Sequence, residues 1–100
     1  MARIATAPFD SAEYLNTAEH IAAYLDVYLE DSTPDEFRSA LGTIARSRGI
    51  SDLSKRTGIT RAGIYKALGH DGNPSFETIR QLLGAMGLRL TVEASESEAA

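Results

Sequence analysis

Basic side chains that could bind phosphate groups are concentrated in the middle of the sequence. Residues 38–70 contain seven Lys or Arg side chains and one acid, Asp52, a net charge of +6. The flanks have the opposite sign, since residues 1–37 sum to −7 and residues 71–100 to −3. The whole chain carries −4 at a pI near 5.0, which taken alone argues against a nucleic-acid partner. Because a phosphate backbone meets a local surface, the central cluster outweighs the average and indicates DNA binding.

The spacing within the stretch SDLSKRTGITRAGIYKAL, residues 51–68, is typical of two short helices joined by a glycine turn. Gly58 can adopt the left-handed backbone that such a turn requires. Four apolar side chains are expected to point inward and hold the pair against the rest of the domain: Leu53, Ile59, Ile64 and Leu68. The pattern therefore predicts a helix-turn-helix whose second helix enters the major groove of DNA by its N-terminal end.

That geometry separates candidate base contacts from candidate phosphate contacts. The residues nearest the bases are Thr60, Arg61, Ala62, Tyr65 and Lys66. Arg61 is the strongest candidate, because a guanidinium binds guanine O6 and N7 together, a pair worth about 1–3 kcal/mol of discrimination. Phosphate contacts are expected from side chains and helix starts at Arg46, Arg48, Ser51, Lys55, Arg56 and Ser75. A positive cluster can also be a solvated face, and a short helix pair around a glycine can mimic this motif.

Five helices are predicted to position these residues. The first spans residues 18–30, with Thr17 as its cap and an apolar stripe from Ile21 to Leu29. Capping residues and terminal glycines predict the other four: Thr33-Pro34 to Gly49, Ser51 to Gly58, Thr60 to Leu68, and Ser75 to Gly87. The segment GHDGNP, residues 69–74, is expected to form a turn.

The sequence after the fifth helix alternates apolar and polar residues, which predicts a short strand at residues 88–93. Leu88, Leu90 and Val92 would share its buried face. Because a lone strand leaves its backbone edge unpaired, its natural partner is the same strand of a second copy, and we expect an antiparallel homodimer contact. Residues 94–100 are small and acidic, and we expect a disordered tail.

Several classes of protein are disfavoured. The chain has no cysteine, and His20 and His70 are far apart without metal-ligand spacing, so we expect no metal site and no cofactor. No nucleophile elbow or phosphate-cradling glycine loop is present, so we expect neither an enzyme nor a small-molecule substrate. Residues 1–9 lack a signal-peptide pattern and no apolar run approaches the roughly 20 residues of a membrane span. We therefore expect a cytoplasmic protein without a membrane partner.

The order of the five helices, with TGITRAGIYKAL followed by GNPSFETIRQLLGAMGLRL, resembles the lambda-repressor and Cro-type helix-turn-helix class. More narrowly it resembles the HigA-like addiction-module antidote proteins, over residues 9–93. The matching positions are Tyr65-Lys66-Ala67-Leu68, Gly72-Asn73-Pro74-Ser75-Phe76 and Gly87-Leu88. The chain departs from the pattern at Ser54, where the wider class usually has Ala, and at Gly63, where a larger polar residue is more common. Glycine within a helix costs about 1 kcal/mol against alanine, and Gly63 could permit close approach to the DNA backbone.

The resemblance implies a mainly α, five-helix lambda-repressor-like domain with an extra N-terminal helical segment and a short C-terminal β-strand. Together with the charge distribution, the caps and the period-2 pattern, it divides the chain into an acidic helical segment (1–33), a helix-turn-helix domain (34–87), a dimerisation strand (88–93) and a disordered tail (94–100). It also implies an antitoxin that represses its own promoter, with double-stranded operator DNA and a small basic toxin of the RelE/ParE type, HigB-like, as partners.

Acidic residues in or near the first two helices would suit a basic toxin, although they could equally form a solvated face that maintains solubility. They are Asp26, Glu30, Asp31, Asp35 and Glu36. The alternatives are a stand-alone phage-type repressor without a toxin and a protein-interaction adaptor that does not bind DNA.

Overall fold

Helices account for most of the chain that the computed structural model describes, which is residues 17–95. Residues 1–16 of the predicted acidic segment and residues 96–100 of the predicted tail lie outside the described residues. The described part forms five helices: α1 (Ala18–Glu30), α2 (Pro34–Arg48), α3 (Ile50–Thr57), α4 (Arg61–Leu68) and α5 (Phe76–Ala85). The mainly α prediction is confirmed.

Capping side chains determine where four of the five helices begin, as the sequence predicts. A cap hydroxyl accepts a hydrogen bond from the backbone N–H three residues later at Thr17, Thr33, Thr60 and Ser75. At Thr33 the backbone N–H also donates to Glu36 Oε1 at 2.9 Å, which completes a capping box, and Pro34 occupies the first turn. These hydrogen bonds satisfy backbone donors that a helix start otherwise leaves open.

The predicted cap at Ser51 is wrong. Helix α3 begins one residue earlier, at Ile50, and no side chain caps it. Gly49, with φ at 105°, is both the C-cap of α2 and the N-cap of α3. Because one glycine separates the two helices, the chain enters α3 at once and Ser51 lies within its first turn.

Helix α2 occupies the centre of the fold, since it packs against α1, α3 and α4, while α3 also packs against α4 and α5. The core is built from the apolar stripe of every helix, with Ile21, Leu41, Ile44, Leu53, Ile64 and Leu82 fully buried. No polar or charged residue of the described part is buried. The apolar core therefore fixes the orientation of α3 and α4 relative to α2.

A Schellman motif ends α5. Leu88 N donates to Leu83 O at 2.9 Å, and Gly87 N donates to Gly84 O at 3.1 Å, with Gly87 at φ 82°. The predicted stop at Gly87 is confirmed. The predicted strand is not seen, because residues 88–93 have no regular secondary structure. Residues 17–95 contain no strand that could pair with them, and a strand exists only when its backbone groups are paired.

Candidate nucleic-acid interface

Side-chain hydrogen bonds from α3 fix the turn between α3 and α4. Ser54 Oγ donates to Ile59 O at 2.6 Å, and Thr57 Oγ1 accepts from Ile59 N at 3.1 Å. Gly58 adopts the predicted left-handed conformation, with φ at 82°, and its N–H donates to Ser54 O. The sequence showed Ser54 only as a departure from the usual Ala, whereas its hydroxyl binds the Ile59 carbonyl and the Thr57 hydroxyl binds the Ile59 N–H. This network sets the angle at which α4 leaves α3.

Helix α4 has one buried face and one exposed face. Ile64 and Leu68 are buried as predicted, as is Leu53 on α3, while Ile59 is partly buried against the core. The five predicted base-contact residues, Thr60, Arg61, Ala62, Tyr65 and Lys66, are all exposed. Positions 61, 62, 65 and 66 fall on one side of a helix because residues four apart are neighbours on its surface. The fold therefore brings the predicted set together on one accessible face, where the Tyr65 side chain is 55% exposed.

Two members of this face have partners within the chain. The Thr60 hydroxyl accepts from Gly63 N at 2.9 Å and so serves as the helix cap. Arg61 Nη1 donates to Ser51 Oγ at 3.1 Å, across from the first turn of α3. This contact joins a predicted base contact to a predicted phosphate contact, and nothing in the sequence spacing indicated it.

The predicted phosphate contacts are exposed but not equally available. Arg46, Arg48 and Lys55 are exposed cations. Arg56 Nε lies 2.8 Å from Asp52 Oδ2, an i,i+4 pair on the surface of α3 with both side chains more than half exposed. Such a pair is worth at most about 1 kcal/mol, so a phosphate could still compete for Arg56. Ser75 is also exposed, with its hydroxyl used as the cap of α5.

Arg38, counted in the central positive cluster, does not belong to this exposed surface. Its side chain is 13% exposed, and its Nη1 donates to Asp35 Oδ1 at 2.7 Å and to Gly72 O at 3.1 Å. The guanidinium thus connects the start of α2 to the turn between α4 and α5. That turn is tight, since Gly72 N donates to Gly69 O at 2.8 Å.

Gly63 lies in a closely packed position, which the sequence did not indicate. A Cβ placed there would lie 3.0 Å from Thr60 Oγ1 and 3.1 Å from Ile59 Cγ2. Both distances are shorter than ordinary van der Waals contact, so a larger side chain would press on the cap hydroxyl and on the turn. A side chain at position 63 would therefore require the Thr60 and Ile59 side chains to shift by a few tenths of an ångström.

The predicted toxin contacts divide into two groups. Asp35 pairs with Arg38, and Glu36 accepts from the backbone of Thr33, so both carboxylates have roles in the fold. Asp26, Glu30 and Asp31 are exposed at the C-terminal half of α1, and none of them forms an ion pair among residues 17–95. Apolar Val27 beside them is 65% exposed, and Leu29, predicted to lie in the apolar stripe of α1, is 59% exposed rather than packed in the core.

The described residues contain no group of three or more His, Asp or Glu side chains arranged to hold a metal ion. No helix among them has the length and apolar character needed to cross a membrane.

The pKa of Tyr24 is raised above its ordinary value, first by burial and then by the neighbouring Tyr28. The two rings have centroids 5.3 Å apart and are tilted by 57°. They are partly buried at the edge of the core, outside the face of α4.

These features define a small helical domain that presents one capped helix with an exposed polar and cationic face. The chain belongs to the family described as probable addiction module antidote protein, whose model matches residues 5–94. It is 41% identical over 87 residues to an uncharacterized protein of Haemophilus influenzae, covering 87% of this chain and 90% of that protein. No solved structure matches the chain significantly. Family membership supports an antitoxin role and implies that the partner is a toxin. It also suggests a regulatory rather than a catalytic protein.

Proposed function

We propose that the chain is the antitoxin of a type II toxin–antitoxin module, a homodimer that represses its own promoter and neutralises a RelE/ParE-type, HigB-like toxin. The observation that carries the DNA-binding part is the exposed face of α4, on which Arg61, Ala62, Tyr65 and Lys66 lie together. In a lambda-repressor-like arrangement this face enters the major groove, and Arg46, Arg48 and Lys55 are exposed cations for the flanking phosphates.

The toxin-binding part is supported by family membership and by α1. Asp26, Glu30 and Asp31 supply exposed negative charge, and Val27 adds exposed apolar area beside them. A small basic partner would be steered to this helix by charge and held by apolar contact. Asp35 and Glu36 contribute less, because each already has a partner in the fold.

Dimerisation is supported by the segment after α5. Leu88 packs against the core, whereas Leu90 and Val92 are 39% and 98% exposed. Pairing of residues 88–93 with the same residues of a second copy would cover these side chains and satisfy the open backbone edge. Two-fold symmetry would place the DNA half-sites about 34–36 Å apart, one turn of the duplex. Light scattering at working concentrations that gave a monomer would exclude this dimer.

The DNA-binding test is a fluorescence anisotropy titration of the upstream promoter duplex and of duplexes with one base pair changed in each half-site. Arg61→Ala should lose about 1–3 kcal/mol of discrimination at one base pair per half-site. Arg80→Ala is the matched control, because Arg80 is an exposed cation on α5, outside the proposed contacts. If Arg61→Ala weakened binding equally to all duplexes and lowered the salt dependence, Arg61 would be a phosphate contact.

The antitoxin test is co-expression with the neighbouring small reading frame. Toxicity of that frame alone, relieved by this chain, separates an antitoxin from a stand-alone repressor. A chain with Asp26→Asn and Glu30→Gln together should relieve toxicity less than the wild type, whereas Glu77→Gln on α5 should relieve it fully. No binding to promoter DNA at low salt would instead favour a protein-interaction adaptor.

A further inference from the structure

The hydrogen bond between Arg61 and Ser51 joins the two helices of the proposed reading unit at their N-terminal ends. Arg61 Nη1 lies 3.1 Å from Ser51 Oγ, although the residues are ten positions apart in sequence. Arg61 is the first residue of α4, where Thr60 fixes the backbone by capping. The side chain of Arg61 is therefore held at both ends, by the cap at its backbone and by Ser51 at its guanidinium.

Ser51 is free for this contact because it does not cap α3. The helix starts at Ile50 without a side-chain cap, which leaves the Ser51 hydroxyl outside the backbone hydrogen-bonding pattern of the helix start. As an acceptor, the hydroxyl occupies one of the five N–H donors of the guanidinium and leaves the others for a base.

The partner of Arg61 differs in kind from those of two other arginines in the central positive cluster. Arg38 and Arg56 each pair with a carboxylate, Asp35 and Asp52 respectively. Arg61 is held by a neutral hydroxyl, so its positive charge is not compensated by that contact. A guanidinium that is oriented but not neutralised is suited to meet the acceptor atoms of a base edge.

We propose that Ser51 is a positioning residue for base reading, whose hydroxyl orients the Arg61 guanidinium before DNA arrives. The role rests on the proposed function, in which Arg61 contacts a base. It differs from the phosphate contact that the sequence predicts for Ser51, because orientation of Arg61 affects discrimination between bases, whereas a phosphate contact affects all sequences equally. Ordering one long side chain in advance is expected to improve discrimination by about 2- to 10-fold.

The test compares the wild type with Ser51→Ala and Ser51→Thr, with Ser39→Ala as the control for loss of an exposed serine hydroxyl on a helix. The DNA readout is the ratio of dissociation constants for the promoter duplex and for the duplex changed at the base pair that Arg61→Ala identifies. Ser51→Ala should lower this ratio by about 2- to 10-fold with an unchanged salt slope, and Ser51→Thr should restore it. In the Arg61→Ala background, Ser51→Ala should have no further effect on the ratio.

A second readout in the free protein uses no DNA. The NMR order parameter of the Arg61 Nε–H group should fall in Ser51→Ala and recover in Ser51→Thr, and equal order in wild type and Ser51→Ala would overturn the proposal. A Ser51→Ala variant that bound both duplexes more weakly by the same factor, with a smaller salt slope, would show a phosphate contact and also overturn it. If the wild type bound no promoter DNA, the proposed function would fail and this role with it, even where the order parameters showed the contact.

Discussion

The turn between α4 and α5 leaves no space for a side chain at Gly72, so Gly72→Ala should destabilise the fold strongly. A Cβ at this position would lie 2.6 Å from Lys66 O and closer still to Ala67 O. Both neighbours are backbone atoms in the last turn of α4, which cannot rotate aside as the end of a flexible side chain can. The turn would have to move away from α4.

The magnitude follows from what that movement breaks. It would separate Gly72 N from Gly69 O and Arg38 Nη1 from Gly72 O, which are 2.8 and 3.1 Å apart. A neutral hydrogen bond contributes about 1 kcal/mol and one to a charged group about 1.5–3 kcal/mol. The two hydrogen bonds would be weakened rather than lost completely if the turn moved only part of the way. We therefore expect the free energy of unfolding to fall by about 2–4 kcal/mol. For a domain of this size the melting temperature should fall by at least about 8 °C.

The assay is thermal and urea unfolding followed by circular dichroism, with Gly84→Ala as the matched control. Gly84 is exposed near the end of α5, and a Cβ there would meet nothing within 4 Å. Alanine should leave stability unchanged or raise it by up to about 1 kcal/mol, because it favours the helix. If Gly72→Ala melted at the same temperature as the wild type, the turn would have room to relax and the packing argument would be refuted.

Three further predictions concern stability. Thr33→Ala should cost about 1 kcal/mol in urea unfolding by removing the cap of α2, while Thr33→Ser should retain the wild-type midpoint. Gly58→Ala should cost about 1–2 kcal/mol, since φ is 82° there, and Gly58→Asn should cost less; equal losses would argue against backbone strain. Because the pKa of Tyr24 is raised in the folded state, the fold favours the neutral phenol. This contribution to stability is fully present at pH values below the ordinary tyrosine pKa of about 10, and it should be lost as the pH rises through the folded pKa. The absorbance of tyrosinate should show one tyrosine that ionises at a higher pH than an ordinary tyrosine, and Tyr24→Phe should remove that step.

Local capping patterns made most helix boundaries predictable from the sequence. A cap hydroxyl binds an N–H three residues away, so Thr17, Thr33, Thr60 and Ser75 could be identified without knowledge of the fold. Ser51 was misassigned because the same rule cannot tell that Gly49 already ends one helix and begins the next.

Two further contacts have a recognisable sequence signal. The capping box of Thr33 and Glu36 follows the Thr-x-x-Glu pattern, and Asp52 and Arg56 have the i,i+4 spacing of a helix pair. Both signals would have lowered the number of charges counted as available for partners.

The remaining contacts depend on tertiary geometry and could not be predicted from spacing. Arg38 meets Gly72 O across 34 positions because the start of α2 lies beside the turn after α4, and Arg61 meets Ser51 across ten because α3 and α4 pack together. The C-terminal strand was predicted from a period-2 pattern that states which residues would share a face but not what they pair with. In the single chain that pattern is not sufficient to form a strand.

The contacts of Asp35 bear on whether a toxin would alter DNA binding. Asp35 holds Arg38, and Arg38 holds the carbonyl of Gly72 in the turn that separates α4 from the cap of α5 at Ser75. A basic partner bound to Asp35 would compete with Arg38 and loosen this turn, which would weaken contacts made by the start of α5. A partner bound to Asp26 and Glu30 would leave the hydrogen bonds from Arg38 to Asp35 and Gly72 intact, because α1 packs on α2 and contributes no atom to those two hydrogen bonds. If a toxin bound these acidic residues, contact with Asp35 would therefore weaken DNA binding, whereas contact with Asp26 and Glu30 alone would leave it unchanged.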